Sequence, residues 1–151
     1  MKEKNIMITG ASSGIGWAVA EALAAKGASL ILCGRRENRL KELQAQLDTP
    51  SHLLVFDVGD RKTAFEKINS LPDAFSSIDI LINNAGNAHG LNPIHKADLK
   101  DWDAMIDSNV KGLMYVTKAV LPSMVSKKTG HIINLGSIAG KEVYPNGSVY
   151  C

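Results

Sequence analysis

The chain has 151 residues, 45% of them hydrophobic and 21% charged, a size and balance suited to one globular domain that buries a core. A net charge of +2 with both signs interspersed offers no basic face for nucleic acid and no polybasic tail for a membrane surface. No apolar run is long enough to span a bilayer, and Lys2, Glu3 and Lys4 lead straight into a short apolar segment with no signal-peptide pattern, so a cytoplasmic location is expected.

An apolar run at 6–8 predicts the first strand, and the glycine-rich turn Thr9-Gly10-Ala11-Ser12-Ser13-Gly14-Ile15-Gly16 follows it directly. An amphipathic stretch at 17–26 predicts a helix with Gly27 at its C-cap. A second strand at 29–33 ends at Cys33, read as a small core residue, and leads through Arg35 and Arg36 into a helix at 37–47 closed by Pro50. The third strand, 53–56, precedes Asp57. Asp60 then has the place of an N-cap for a helix at 61–71 closed by Pro72. A fourth strand at 80–82 runs into Asn83-Asn84-Ala85-Gly86, a loop carrying His89 and His95 follows, and one long helix is expected over 99–125. The fifth strand, 132–135, leads to Gly136 and Ser137, and Tyr150 stands thirteen positions after Ser137. Neither histidine has a partner at metal-ligand spacing, so no metal site is expected.

Alternating strands and helices with short links argue for an α/β fold, a doubly wound, Rossmann-like parallel sheet with helices on both faces. The chemically unusual residues all fall just after strands: Gly10, Arg35 with Arg36, Asp57, Asn83 to Gly86, and Gly136 with Ser137. In open α/β sheets that edge binds ligands, because strand-end loops and helix N-termini converge there. A diphosphate approaching a helix start needs bare backbone, which Gly10, Gly14 and Gly16 supply, although their spacing is Gly-x-x-x-Gly-x-Gly rather than Gly-x-Gly-x-x-Gly. An ordinary tight strand-to-helix turn is the plainer reading. After the second strand an acidic residue would accept from a ribose 2′-hydroxyl, whereas a guanidinium forks onto a 2′-phosphate; residues 32–36 hold no Asp or Glu, which favours NADP over NAD. Asp57 either accepts from an adenine amino group or serves as a turn residue beside Gly59.

These motifs together with Asn109 in Ser-Asn-Val-Lys-Gly, Ser137 in Ile-Asn-Leu-Gly-Ser-Ile-Ala-Gly, and Tyr150 resemble the short-chain dehydrogenase/reductase family along the whole chain. Residues 33–40, 95–96 and 121–125 most resemble the bacterial NADP-dependent 3-hydroxy acid dehydrogenases that accept serine and allo-threonine. The resemblance implies hydride transfer between a nicotinamide and a small carbonyl or 3-hydroxy acid, with Tyr150 as acid/base, Ser137 orienting the substrate oxygen, and Asn109 holding a helix distortion and a water in the proton relay. Read alone, Asn109 is a packed polar residue, Ser137 a turn residue and Tyr150 an aromatic near a chain end. The implied cofactor-binding set is Gly10, Ser12, Ser13, Gly14, Ile15, Gly16, Arg35, Arg36, Asp57, Val58, Asn84, Ala85 and Gly86, and the implied cofactor is NADP.

A free tyrosine titrates near pH ~10, so bringing its phenol close to neutrality takes about 3 units, or roughly 4 kcal/mol of preference for the phenolate. The family supplies this with a lysine four residues after the tyrosine, one helical turn on, and with the positive nicotinamide ring. The chain is therefore expected to be the ordered portion of a longer protein, residues 1–151 forming an NADP-binding domain incomplete at its C-terminal end, and the intact protein to be a homo-oligomer. The competing functions are a 3-oxoacyl thioester reductase and a non-catalytic dinucleotide-binding protein.

Overall fold

The structure, a computed structural model, describes residues Met1–Cys151. Five parallel strands, β1 (Asn5–Thr9), β2 (Ser29–Gly34), β3 (Ser51–Val55), β4 (Ile80–Asn83) and β5 (His131–Asn134), form one sheet in the order β3-β2-β1-β4-β5. The chain winds outward from β1 to β2 and β3, then crosses back to place β4 on the other side of β1. Met7 pairs with Ile31 on one side and Leu81 on the other, so β1 is central. The reversal of strand order between β1 and β4 opens a crevice beyond their carboxyl ends.

Side chains alternate along β1, and each face is buried by its own helices. Met7 joins Ile31, Cys33 and Leu81 beneath α3 (Arg61–Asn69) and α6 (Leu113–Lys127), which contribute Ile68, Val116, Val120 and Met124. Ile6 and Ile8 join Leu30 and Leu32 beneath α1 (Gly14–Ala24) and α2 (Glu37–Gln44), which contribute Ala20, Ala24, Leu40 and Leu43. Cys33 lies wholly within the first of these layers, as its small apolar reading requires, and burial pushes its thiol pKa up. β5 forms one edge of the sheet, with His131, Ile133 and Asn134 exposed.

Several boundaries differ from the sequence expectation. α1 begins at Gly14, inside the glycine turn rather than at 17, and its C-cap is Ala25; Gly27 is instead the left-handed residue beyond it, at φ +77°. β3 lies two residues earlier than expected at its start because pairing with β2 fixes it, Ser51 standing opposite Leu30. A short helix, α4 (Asp73–Ser76), follows Pro72. Asp60 caps α3, its carboxylate accepting from the Thr63 N–H at 3.1 Å and from the Thr63 hydroxyl at 2.6 Å.

The largest departure is the predicted long helix at 99–125. It is α5 (Leu99–Met105), a π-helical segment (Ile106–Gly112) and α6 in succession. Gly112 lets the segment lie on the loop after β3, since a Cβ there would stand 2.7 Å from Val58 Cγ2. On its other side the segment is tied to the loop after β4 by Asn109.

Gly16 in the first turn of α1 presses on the end of β1: a Cβ there would clash with the Gly10 carbonyl and stand 2.5 Å from Asn84 Nδ2. Replacing Gly16 with Ala is expected to cost about 1–3 kcal/mol by overpacking against backbone, read as a lowered guanidinium midpoint at unchanged slope.

Candidate functional site

The site grows from the way β1 ends. Gly10 turns out of the strand at φ +68°, a left-handed conformation, and a Cβ on it would lie 2.8 Å from Asn84 Nδ2. Asn84 uses that space, donating from Nδ2 to the Thr9 carbonyl at 2.8 Å and to the Gly10 carbonyl at 3.3 Å. Thr9 answers from the other side, its hydroxyl accepting from the N–H groups of Asn84 at 3.0 Å and Ala85 at 2.9 Å. The carboxyl ends of β1 and β4 are thereby laced together.

Beyond the turn, α1 starts without a capping side chain and with no acidic residue in its first turn. Its leading N–H groups and the positive end of its dipole are left for another acceptor. No atom lies within 4 Å of where a Gly14 Cβ would stand, so the backbone there faces open space. An eleven-residue helix with a bare N-terminus of this kind suits an anion.

The two arginines are held differently. Arg36 folds back over the turn, donating from Nε and Nη2 to Ser12 Oγ at 3.2 and 3.0 Å, to the Ser12 carbonyl at 3.3 Å and to Ser13 Oγ at 2.6 Å. Arg35, with 71% of its side chain exposed, reaches Asp57 Oδ2 at 3.3 Å. Asp57 also accepts from the Gly59 N–H at 2.9 Å, so its turn role is realised. Arg39 is drawn away: it lies over the Trp17 ring at 4.8 Å and pairs with Glu42.

Of the predicted cofactor residues, Gly10, Ser12, Ser13, Ile15, Arg35, Arg36, Asp57, Val58, Asn84, Ala85 and Gly86 line one cleft of about 340 Å³. Gly14 and Gly16 do not: Gly14 faces open space at the start of α1, and Gly16 is buried in the contact between α1 and the turn. Gly34, Phe56 and Ser108 line the cleft as well and were missed by the sequence reading, which expected Asn87, also in the lining, to face the substrate. Phe56 and Ser108 neighbour predicted residues, but only the fold aims them here.

A second cavity of about 600 Å³ brings Asn109, Ser137 and Tyr150 together, and it shares Ile15 and residues 84–87 with the first. The two form one trough along the carboxyl edge of the sheet, with guanidinium groups at one end and a phenol and a serine hydroxyl at the other. Ser137 caps the short 3₁₀ turn Ile138–Gly140, its Oγ accepting from the Ala139 N–H at 3.2 Å. That leaves the hydroxyl proton free to face the cavity. Asn109 sits in the π segment and exchanges two bonds with the main chain of Asn87, donating from Nδ2 to its carbonyl at 2.7 Å and accepting from its N–H at 2.8 Å. No group of three or more His, Cys, Asp or Glu side chains is placed to hold a metal ion. No helix is long and apolar enough to cross a membrane.

Residues 4–151 match the family model for short chain dehydrogenase. The chain belongs to the short-chain dehydrogenase family. Among relatives in this family, an NADP-dependent 3-hydroxy acid dehydrogenase of Escherichia coli K12 is 46% identical over 145 residues, covering 96% of this chain and 58% of its own length. A sulfoacetaldehyde reductase of Chromohalobacter salexigens is 48% identical over 148 residues, covering 96% of this chain and 59% of its own. The closed form of a serine dehydrogenase complexed with NADP+ superposes with a TM-score of 0.94 at 45% identity, covering 97% of this chain and 59% of that one. The chain thus spans less than two thirds of the length of each of these short-chain dehydrogenases.

Because Asn84 holds both the turn and the end of β4, Asn84→Ala strips the bonds to the Thr9 and Gly10 carbonyls. It is expected to destabilise the fold by about 1–3 kcal/mol, measured by chemical denaturation.

Proposed function

We propose that this chain forms the dinucleotide-binding part of an NADP(H)-dependent oxidoreductase acting on a small carbonyl or 3-hydroxy acid substrate. The observation that carries the reading is the single trough, with Arg35 and Arg36 at one end, the uncapped start of α1 in the middle and Ser137 with Tyr150 at the other. Two anion-seeking features set apart along one trough suit an elongated ligand with two phosphate groups better than a compact one. Two relatives whose names specify a substrate, a hydroxy acid dehydrogenase and a sulfoacetaldehyde reductase, act on small molecules bearing an acid group, which favours a substrate of that class here. A cytoplasmic location and a homo-oligomer belong to the same reading.

The residues present fit the cofactor. Open space above Gly14 and the free N–H groups of α1 would hold a diphosphate, and Arg36, already oriented by Ser12 and Ser13, would fork onto a 2′-phosphate, with Arg35 beside it. Ile15, 63% exposed and common to both parts of the trough, would pack against a flat ring. When bound, the nicotinamide supplies or takes the hydride. In the reducing direction Tyr150 would give its phenolic proton to the substrate's carbonyl oxygen and would be reprotonated from solvent. Ser137 donates a hydrogen bond to the same oxygen and orients it. In the oxidising direction Tyr150 takes the hydroxyl proton. Asn109 acts at one remove, through its bonds to Asn87. A phenol acting near neutrality needs a cation close by, and in this family that is the lysine four residues after the tyrosine.

Fluorescence titration is expected to give NADPH binding at least tenfold tighter than NADH, and Arg35→Asp to shift the preference toward NADH. Unchanged selectivity in that variant would refute the role given to Arg35. Tyr150→Phe is expected to lower turnover by about 10²–10⁴-fold while leaving NADPH affinity within a factor of about two. Consumption of NADPH with malonate semialdehyde, sulfoacetaldehyde and a 3-oxoacyl thioester distinguishes the acid-bearing substrates from the thioester alternative. In the intact protein, carrying the position four residues after Tyr150, NADPH binding without turnover on any of them points instead to a non-catalytic dinucleotide-binding protein.

A further inference from the structure

Asn87 follows Gly86 early in the loop after β4, and it lines both parts of the trough. Its main chain makes the two bonds to the Asn109 amide described above. Its side chain makes a third, from Nδ2 to the carbonyl of Ala104 at 3.3 Å, in the last turn of α5 before the π segment begins. The side-chain oxygen, Oδ1, is buried and meets no donor, so that one bond alone orients the amide.

The two helical residues that Asn87 reaches are five apart. The first lies in α5 and is held through its main-chain carbonyl, the second lies in the π segment and is held through its side chain, so Asn87 spans the junction between the two registers. Gly86 keeps the approach open, since a Cβ there would stand 3.3 Å from Asn109 Oδ1. Apart from Asp98, which caps the first turn of α5 by accepting from the Lys100 N–H, Asn87 is the residue of this loop bonded to α5 and to the π segment.

We propose that Asn87 is a positioning residue: its side-chain amide, bonded to the Ala104 carbonyl, fixes where the helix passes from α to π register and so where Asn109 stands in the cavity it shares with Ser137 and Tyr150. The purpose of that cavity rests on the functional reading above, but the geometry under test exists in the chain without cofactor. Main-chain bonds to Asn109 survive any substitution at 87, so a side-chain change isolates the third bond.

The experiment is hydrogen exchange by NMR on the full chain, following the Asn109 side-chain amide and the main-chain amides of the π segment. In Asn87→Leu, protection at these groups is expected to fall at least about tenfold while β1 amides change by less than about twofold. Asn87→Asp keeps the shape but at pH 8 presents only acceptors to the Ala104 carbonyl. It is expected to match the leucine variant there and to regain protection as pH is lowered through titration of the new carboxyl, whose O–H then donates. A role in general stability would produce no such pH-dependent recovery confined to the π segment. Unchanged protection of Asn109 in Asn87→Leu, an equal loss throughout β1, or an Asn87→Asp profile without acid recovery would each overturn the proposal. NADPH titration of the unsubstituted chain is a separate result: a chain with protected Asn109 that binds no NADPH defeats the functional reading and leaves this one standing.

Discussion

The hydrogen bonds between Asn84 and the Thr9-Gly10 main chain are the constraint on which the rest of the site depends. A parallel sheet that reverses its strand order must leave a gap beyond the two central strands, and here the gap is floored by a side-chain amide bonded to the Thr9 and Gly10 carbonyls and by a threonine hydroxyl bonded to two N–H groups. With that floor fixed, Gly10 must turn left-handed, α1 must start where it does, and Gly16 has no room for a side chain. The trough is thus a consequence of how β1 and β4 end, not a feature added to a finished sheet.

Charge is distributed along the trough according to how each group is tethered. Arg36 spends its guanidinium on Ser12 and Ser13, on the same turn whose backbone faces open space, whereas Arg35 leans on an exposed carboxylate across the cleft. An exposed ion pair of this sort holds its partner weakly and yields readily to a better anion. The cavity at the far end sets the amide of Asn109 and the hydroxyls of Ser137 and Tyr150 among apolar side chains such as Ile15, Leu113 and Leu135.

Much of this was legible in the residues because local chemistry and tertiary placement agree. Apolar runs buried on both faces mark the strands whatever their neighbours, and a glycine-rich turn between strand and helix needs no further context. Asp60 stood in the N-cap place before the 61–71 stretch, and its carboxylate caps α3 by accepting from the Thr63 N–H. The π segment was not legible: an extra residue per turn leaves the apolar pattern of 99–125 looking like one helix, and only the contacts of Gly112 with Val58 and of Asn109 with Asn87 show why it widens. The start of β3 depends on its pairing with β2, a non-local fact. The grip of Ser12 and Ser13 on Arg36 joins residues more than twenty positions apart, and no spacing rule predicts it. Asp57 was open between two roles, and the structure fills one of them with the Gly59 N–H while leaving its other oxygen to Arg35.

The bonds that fold Arg36 onto its own turn alter the thermodynamics of recognition. A long cationic side chain immobilised only on meeting its anion gives up about 0.5–1.5 kcal/mol of rotamer entropy at that moment; here most of that ordering is complete once the chain has folded. In the functional reading proposed above, Ser12 and Ser13 would then contribute to affinity through Arg36 as well as through their own place on the cleft wall, and the loss of either hydroxyl would loosen that guanidinium.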